Sequence, residues 1–306
     1  MPAPSVVADV PEELSKLIDP NAEVRLIRGD FGFVEGPVWV GDRLIFSDIP
    51  NDTLHVYSPK TGQVGVYRTP SHNTNGNTVD PDGHLVSCEH GTRVVAVTEP
   101  ALNGERRVIA ETFENEGKRV RFNSPNDVQV HPETRAIFFT DPPWGLDRGQ
   151  WQTAMEYGEA SGPYGGGRWV FRLDPGADSA VPVAKDFNRP NGLCFSPDAQ
   201  TLYIADDGER HIRKFAVNDD GTLAGGDVFC AIDQGVPDGI RCDSIGNVWS
   251  TAADGVQVFA PDGRRLGKVL CPESPANCRF GGEGYRTLFM TARTGLYAVE
   301  TLVAGF

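Results

Sequence analysis

The segment "PNDVQVHPETRAIFFTD" (125–141) holds the pattern that decides the fold. A turn containing an asparagine precedes a short apolar strand, a second turn follows, and a strongly apolar run ends on Asp141. The segment "PNGLCFSPDAQTLYIAD" (190–206) has the same parts in the same order. Short apolar runs bounded by turn residues are typical of paired β-strands. The two segments therefore indicate a repeated strand–turn–strand unit.

Six copies of this unit can be aligned along the chain. Each begins with a turn rich in Gly, Asn or Asp that leads into an apolar strand, and all but the last add a second strand. The other four copies are "EGPVWVGDRLIFSD" (35–48), "NGNTVDPDGHLVSCEH" (75–90), "PDGIRCDSIGNVWSTA" (237–252) and "GGEGYRTLFMTA" (281–292). Four-stranded units recurring about every 40–65 residues are the signature of a β-propeller. We therefore predict an all-β, six-bladed β-propeller rather than a β-sandwich, which would not repeat one phrase in phase.

The predicted propeller spans residues 24–306, and residues 1–23 form an N-terminal extension, so that the whole chain is one domain. A short helix is predicted over "PEELSKLID" (11–19), where a proline and two glutamates suit the first turn. We expect the ring to close by pairing a strand around "AEVRLIRG" (22–29) with the C-terminal "TGLYAVETL" (294–302).

Composition excludes several classes of partner. The chain of 306 residues carries 42 acidic and 28 basic side chains, a net charge of −14, which argues against nucleic acid and anionic membranes. No apolar run is long enough for a membrane-spanning helix. The N-terminal residues lack the basic and apolar regions of a signal peptide, which favours the cytoplasm unless a leader has been removed.

The six cysteines do not form the pattern of a disulfide scaffold or of a zinc knuckle, because the chain is long and contains no Cys-x-x-Cys. Several lie in apolar strand contexts, where a free thiol behaves as a small core residue. Cys271 and Cys278 could nevertheless pair across the segment "CPESPANC".

The leading residues of the six copies form a candidate site. The innermost strand of each propeller blade lines a central channel, so these residues are expected to meet at one mouth. They are Glu35, Asn75, Asn126, Asn191, Asp238, and Gly282 or Glu283. Carboxylate and amide oxygens without sulfur or imidazole suit Ca²⁺, with Mg²⁺ and Mn²⁺ as competitors. The alternative for each single Asn or Asp is a turn residue that bonds its own backbone.

Two further features point to the same mouth. His90 follows the second repeat and is placed to reach the channel, although a solvated loop histidine is the alternative. Residues 142–168 form a long irregular insertion containing Trp144, Trp151, Tyr157 and Tyr164. Such aromatic loops often form lids or binding walls, and the alternative is a covering for a blade edge. The chain contains no nucleophile elbow, zinc-protease motif, P-loop or dinucleotide fingerprint.

The phrases "EGPVW", "FNSPNDVQVHPETRAIFFTDPPWGL", "RPNGLCFSPDAQTLYIAD" and "PDGIRCDSIGNVW" closely resemble the SMP-30/gluconolactonase family, nearest to its microbial gluconolactonase branch. The resemblance implies a six-bladed propeller that holds one divalent cation and hydrolyses sugar lactones. It places metal ligands at Glu35, Asn191 and Asp238, with Asn126 near the metal or the substrate. Ser124 stands where some animal members carry a sugar-binding arginine, so the sugar contacts do not transfer.

These features together predict metal-dependent hydrolysis of a sugar lactone to the aldonic acid. One cation, Ca²⁺ or else Mn²⁺, Zn²⁺, Mg²⁺ or Fe²⁺, would polarise the lactone carbonyl, and Asp238 would orient or deprotonate water. Asn126, Trp144 and His90 would contact the substrate. Alternatives are a phosphotriesterase-like hydrolase on the same metal site and a non-catalytic sugar-binding or interaction propeller. A strictosidine-synthase-like enzyme is a third, which the Glu-Asn-Asp set disfavours.

Overall fold

The computed structural model describes residues 5–6, 12–99, 101–102, 104–146 and 167–306. Within these ranges the regular structure consists of antiparallel β-strands and three short 3-10 turns. The strands form six blades around a central channel, together with one separate two-stranded hairpin. The predicted six-bladed β-propeller is therefore confirmed. In this described part of the chain, no helix has the length and apolar character needed to cross a bilayer.

The ends of the chain meet in one shared blade. The N-terminal strands β1 (Ser5–Val6) and β2 (Glu23–Arg28) precede the first complete blade. Strand β2 pairs antiparallel with the last strand of the chain, β27 (Gly295–Glu300), and Arg25 lies opposite Ala298. This pairing confirms the predicted closure.

The first three blades each contain four consecutive strands, ordered from the channel to the rim. Blade 1 comprises β3 (Val34–Val40), β4 (Arg43–Asp48), β5 (Thr53–Ser58) and β6 (Gln63–Arg68). Blade 2 comprises β7 (Thr74–Val79), β8 (Leu85–Glu89), β9 (Val94–Glu99) and β10 (Glu105–Ala110). The hairpin β11 (Thr112–Asn115) and β12 (Lys118–Arg121) follows. Blade 3 comprises β13 (Val128–Val130), β14 (Ile137–Asp141), β15 (Trp169–Leu173) and β16 (Val181–Ala184).

The remaining blades repeat the arrangement. Blade 4 comprises β17 (Pro190–Phe195), β18 (Thr201–Asp206), β19 (His211–Val217) and β20 (Leu223–Ala231). Blade 5 comprises β21 (Ile240–Cys242), β22 (Val248–Ala252), β23 (Gly255–Phe259) and β24 (Arg265–Leu270). Blade 6 comprises β25 (Pro275–Gly281) and β26 (Thr287–Ala292), followed outward by β27, β2 and β1. The 3-10 turns are Leu14–Lys16, Trp144–Leu146 and Glu283–Tyr285.

The core lies between the blades, where apolar side chains of neighbouring sheets interlock. Phe113 and Phe122 of the hairpin region pack with Phe139 and Phe171 of blade 3, and the Phe113 and Phe171 ring centroids lie 4.7 Å apart. Each fully buried side chain of this kind contributes roughly 1.5–3 kcal/mol. The blades are therefore fixed relative to one another, which fixes the positions of the strands around the channel.

Close approach of the inner strands depends on the residue that follows each leading position. In chain order these residues are Gly36, Gly76, Asp127, Gly192, Gly239 and Asn277. The Gly192 amide donates to the Asp238 carbonyl at 3.2 Å, and a Cβ on Gly192 would lie 2.2 Å from that oxygen. Only glycine permits this contact without displacing the backbone. Asp127 and Asn277 break the pattern and place polar side chains in the channel.

The predicted N-terminal helix is wrong. Over residues 12–19 the structure has a single 3-10 turn, Leu14–Lys16, without a side-chain cap. Leu14, Leu17 and Ile18 are buried against blades 5 and 6. Packing of these three side chains fixes the segment, so the helix-like spacing of apolar residues reflected burial and not a continued helix.

The sixth leading position was also predicted wrongly. Strand β25 begins at Pro275, and Ala276 accepts the Gly239 amide at 2.8 Å, as Asp238 accepts that of Gly192. Ala276 is therefore the sixth leading residue, and Gly282 and Glu283 lie beyond the far end of β25. The sixth copy (281–292) took β26 for the inner strand. The true inner strand, β25, was overlooked because its sequence "SPANCRF" lacks the Asn-Gly or Asp-Gly phrase that begins most of the other copies.

All six cysteines are free thiols. Cys271 and Cys278 are not paired, and Cys278 is buried in the core between blades 5 and 6. The Cys194 and Cys242 sulfurs lie 3.6 Å apart on the inner strands of blades 4 and 5. These thiols therefore act as small core side chains.

Candidate metal and substrate site

A cavity of about 150 Å³ lies at the mouth of the channel where the inner strands begin. Its lining contains the six residues predicted to bind the metal or the substrate, namely Glu35, His90, Asn126, Trp144, Asn191 and Asp238. Blades 1 to 5 each contribute at least one of these six residues. The leading residue Asn75 also lines the cavity, whereas Gly282 and Glu283 do not. The fold therefore brings together, in one small cavity, side chains that are remote in sequence. Phe33, Ile49 and Asp207 complete the lining.

Three asparagines form a chain of hydrogen bonds along one wall of the cavity. Asn75 Nδ2 donates to Asn126 Oδ1 at 2.6 Å, and Asn126 Nδ2 donates to Asn191 Oδ1 at 2.8 Å. All three residues are at least 95 % buried. Each amide thus fixes the orientation of the next, and an amide oxygen keeps a second lone pair for another partner. The Asn75 Oδ1 atom is buried without a partner.

The carboxylate of Glu35 is held in one orientation. Its Oε2 atom accepts the Gly36 amide at 2.5 Å and Asn277 Nδ2 at 2.9 Å. Both donors come from inner strands, Gly36 from β3 and Asn277 from β25. Because both hydrogen bonds go to the same oxygen, the carboxylate plane is fixed before any ligand arrives.

The acidic groups at the channel repel one another. Burial raises the pKa of Glu35 to about 8, and the negative charge of Asp127 adds to the shift. Burial also raises the pKa of Asp238 well above its usual range, assisted by Glu35, Asp127 and Asp207. The pKa of Asp127 is raised by burial as well, against the opposing positive charge of Arg241. Buried like charges disfavour ionisation unless a counter-charge is present.

This donor set fits a divalent cation. Glu35 and Asp238 supply carboxylate oxygens, Asn126 and Asn191 supply amide oxygens, and neither thiol nor imidazole competes at these four positions. Hard cations such as Ca²⁺ prefer such oxygen ligands. A bound cation would also supply the counter-charge that the buried acids lack.

Trp144 forms one wall of the cavity and is held from two sides. Ser124 Oγ donates to the Pro142 carbonyl at 2.6 Å and accepts the Gly145 amide at 2.9 Å, which pins the turn Trp144–Leu146. The Arg189 guanidinium lies 4.9 Å from the Trp144 ring centroid. Ser124 therefore positions the tryptophan turn. Residues 147–166, with Trp151, Tyr157 and Tyr164, lie outside the described residues.

Arg189 links this wall to a further acid that sequence reasoning missed. Its Nε lies 2.5 Å from Asp207 Oδ1. Burial raises the pKa of Asp207 to about 6, and Arg189 opposes that shift. Asp207 is the last residue of the "ADD" sequence (205–207) and directly follows β18. It adds a carboxyl group beside Asn191 whose charge Arg189 partly compensates.

His90 reaches the cavity as a buried side chain. Its Nε2 lies 3.3 Å from Asn75 Nδ2, and its Nδ1 has no hydrogen-bond partner among the described residues. Burial lowers the pKa of His90 to about 4, so the imidazole is neutral at neutral pH. A neutral imidazole can accept or donate one hydrogen bond.

Asp127 and Asn277 were also missed as site residues. Both occupy positions where the other repeats carry glycine. This departure from the repeat is the sequence feature that could have identified them as site residues. Asn277 was hidden by the misaligned sixth copy. The two side chains lie behind the cavity lining and hydrogen-bond each other.

A second cluster of possible ligand atoms lies away from the channel, in the turn after β7. Asp80, Asp82 and His84 place ligand atoms within 4.8 Å of one another. Asp80 already accepts the backbone amides of Asp82 and His84, at 2.9 and 2.8 Å, and Asp82 pairs with Arg135. These contacts account for the cluster as a charged turn.

The family can now be assigned. The sequence profile of the SMP-30/Gluconolactonase/LRE-like region matches residues 33–294. The chain belongs to this family. The matched region covers every strand that contributes to the cavity, from blade 1 to the inner strand of blade 6.

Members of the SMP-30/gluconolactonase family resemble the chain over most of its length. A gluconolactonase of Zymomonas mobilis is 32% identical over 95% of this chain and 85% of its own. A pentonolactonase of Haloferax volcanii is 30% identical over 85% of this chain and 81% of its own. The solved structure of a gluconolactonase from Xanthomonas campestris superimposes with a TM-score of 0.85 at 31% identity, covering 98% of this chain and 95% of that one.

Proposed function

We propose that this protein hydrolyses a sugar lactone to the aldonic acid, using a divalent cation held by Glu35, Asn191 and Asp238 with Asn126 beside them. One observation carries the proposal: these four side chains line a single cavity of about 150 Å³. Relatives named gluconolactonase and pentonolactonase support the class of substrate.

The proposed chemistry divides among a few groups. When bound, the cation supplies a Lewis acid for the lactone carbonyl. Glu35, fixed by Gly36 and Asn277, anchors it. Asp238 accepts a proton from the attacking water as a general base and returns it to the ring oxygen, which leaves as a hydroxyl when the acyl C–O bond breaks. The pKa of Asp238 is raised by burial and by neighbouring acids, so a counter-charge is needed for it to act as a base at neutral pH.

The proposed substrate contacts use the wall residues. Trp144 offers an apolar face to the C–H side of a sugar ring. The amides of Asn75 and Asn126, the neutral imidazole of His90 and the carboxyl of Asp207 offer hydrogen bonds to hydroxyl groups. A polar cavity with one aromatic wall suits a small polyhydroxylated ring.

A lactone panel tests this proposal. The purified protein is chelated and assayed by pH indicator against the lactones of gluconic, xylonic, arabinonic and rhamnonic acids. Ca²⁺, Mn²⁺, Zn²⁺, Mg²⁺ and Fe²⁺ are then returned one at a time, with an enzyme-free blank for spontaneous hydrolysis. We expect turnover to disappear on chelation and to return with at least one cation.

Two controls sharpen the result. An organophosphate triester separates lactone hydrolysis from phosphotriesterase activity on the same residues. Asp82→Asn, in the charged turn after β7, removes an acid remote from the cavity and should leave turnover unchanged. Failure of every lactone with every cation would contradict the proposal.

A further inference from the structure

The channel has a second cavity at its opposite end, where the inner strands finish. Its volume is about 160 Å³, and its walls include Gln129, Arg241, Cys242, Arg279 and Phe306. Two of these side chains are guanidinium groups, and none of the described lining residues is an aspartate or glutamate. This distal cavity is therefore positively charged, in contrast to the acidic cavity at the other mouth.

Arg241 presents an unsatisfied edge. The residue is 2 % exposed, and its Nη1 donates to the Ile240 carbonyl at 2.6 Å. Its Nε and Nη2 atoms are buried, and no described residue forms a hydrogen bond with either of them. These two N–H groups lie on the same edge of the guanidinium, and that edge can donate two parallel hydrogen bonds to one oxyanion. Leaving such donors unpaired costs free energy, so a ligand that accepts both hydrogen bonds is favoured.

Two further donors in the same cavity are also unpaired. Arg279 Nε on β25 and Gln129 Nε2 on β13 are buried, and neither has a hydrogen-bond partner in the described part of the chain. Burial, together with the nearby positive charge of Arg241, lowers the pKa of Arg279 to about 10. Three side chains that line this cavity thus hold unpaired donors, and none of its described lining residues is an aspartate or glutamate.

Arg241 also acts at a distance on the acidic side of the channel. Its positive charge lowers the pKa values of Glu35 and Asp127. No ion pair or hydrogen bond joins Arg241 to these two carboxyls among the described contacts, and both donors on its free edge remain unused. The long-range effect of Arg241 on these acids therefore does not account for its unpaired Nε and Nη2 donors.

We propose that the distal cavity binds one small tetrahedral oxyanion, of the phosphate or sulfate class, through Arg241 Nε and Nη2, Arg279 Nε and Gln129 Nε2. The volume of about 160 Å³ corresponds to roughly five waters at about 30 Å³ each, which is enough for such an anion with one or two waters. The anion neutralises two facing guanidinium groups and cross-links the inner strands of blades 3, 5 and 6. Binding to the folded state alone stabilises that state.

Titration of the intact protein with inorganic phosphate and with sulfate tests this site. Calorimetry at constant ionic strength should show saturable one-to-one binding, and the melting temperature should rise with either anion more than with chloride. Arg279→Gln should weaken binding roughly 10- to 100-fold, the usual loss for one charged hydrogen-bond donor. Arg279 is partly exposed, so this variant avoids the folding risk of replacing the buried Arg241.

The matched control is Arg43→Gln, which replaces an exposed arginine on β4 whose ion pair within the described ranges is with its neighbour Asp42. It should bind phosphate as the unaltered protein does. Absence of saturable binding at millimolar phosphate and sulfate, or unchanged binding by Arg279→Gln, would overturn the proposal. The distal cavity shares no lining residue with the acidic one. Failure of anion binding can therefore be distinguished from failure of the proposed lactone hydrolysis.

Discussion

Asn277 donates through Nδ2 to both carboxylate oxygens of Asp127, at 3.2 Å each, and through the same nitrogen to Glu35 at 2.9 Å. One neutral amide on blade 6 therefore holds two acids that come from blades 1 and 3. The acids repel each other, and Asp127 raises the pKa of Glu35. The electrostatics of the proposed cation site thus depend on a residue that does not line its cavity.

Replacing Asn277 with leucine should weaken the cation site. Loss of the donor frees the carboxylate of Glu35 and raises its pKa further, because Asn277 lowers that pKa in the native protein. We expect Ca²⁺ affinity at pH 7, measured by calorimetry, to fall about tenfold or more, as for other groups that orient metal ligands. The control Asn218→Leu, in the exposed turn after β19, should leave affinity unchanged. Equal affinities in both variants would refute a positioning role for Asn277.

The two proposed carboxylate ligands should be indispensable for turnover. Glu35→Gln and Asp238→Asn keep size and remove charge, so we expect kcat/KM for the best lactone to fall roughly 10²-fold or more. In chelator at pH 8 Glu35→Gln should be more stable than the unaltered protein, because the buried Glu35 carboxyl, with a pKa of about 8, is partly charged there. Circular dichroism checks the fold and urea denaturation checks stability. Undiminished turnover in either variant would rule out the proposed mechanism.

The chelated protein should lose stability as pH rises. The pKa of Glu35 is about 8 in the folded state against 4.5 ordinarily, so the folded state binds more protons between these values. The free energy of unfolding must then fall with increasing pH, by up to about 1.4 kcal/mol per pH unit for one such group. Urea denaturation at several pH values in chelator measures this slope. Added Ca²⁺ should stabilise more at pH 8 than at pH 5, and a slope of the opposite sign in chelator would contradict the assignment.

The turn that carries Trp144 should affect substrate binding rather than cation binding. Ser124→Ala removes both hydrogen bonds that pin the turn, and Trp144→Ala removes the wall itself. We expect each to raise KM, by up to roughly tenfold for the loss of one or two hydrogen bonds, while Ca²⁺ affinity stays constant. Ser15→Ala, whose hydroxyl contacts only the Glu12 carbonyl in an exposed segment, is the control. A large loss of Ca²⁺ affinity in Ser124→Ala would show that the turn supports the cation site instead.

The glycine after a leading residue should be irreplaceable. A Cβ on Gly192 would lie 2.2 Å from the Asp238 carbonyl oxygen, so Gly192→Ala must displace an inner strand. We expect a loss of about 2–3 kcal/mol or more in the free energy of unfolding. Gly65→Ala, on the rim strand β6 with nothing within 4 Å of the added carbon, should cost much less. Similar stabilities of the two variants by urea denaturation would refute the close-approach argument.

The repeated phrase alone predicted most of the fold and the leading residues of the candidate site. Its period predicted six blades, its first residues predicted that Glu35, Asn126, Asn191 and Asp238 lie together, and the terminal strands predicted the closure. These side chains meet in one cavity because a propeller places equivalent residues of every repeat at the same height around one channel. The symmetry of the propeller thus converts a position within the repeated sequence into a position around the channel.

The tertiary structure decided what departs from that symmetry. Asp127 and Asn277 matter because they replace glycine where the strands are closest, and Asn277 lay in a copy whose sequence no longer shows the repeat. The predicted helix failed because burial of Leu14 and Ile18 imitates helical spacing. The shifted pKa values of Glu35 and Asp238 and the unsatisfied edge of Arg241 likewise arise from burial and from charges on other blades. Such effects depend on distances between remote residues, which no local stretch of sequence encodes.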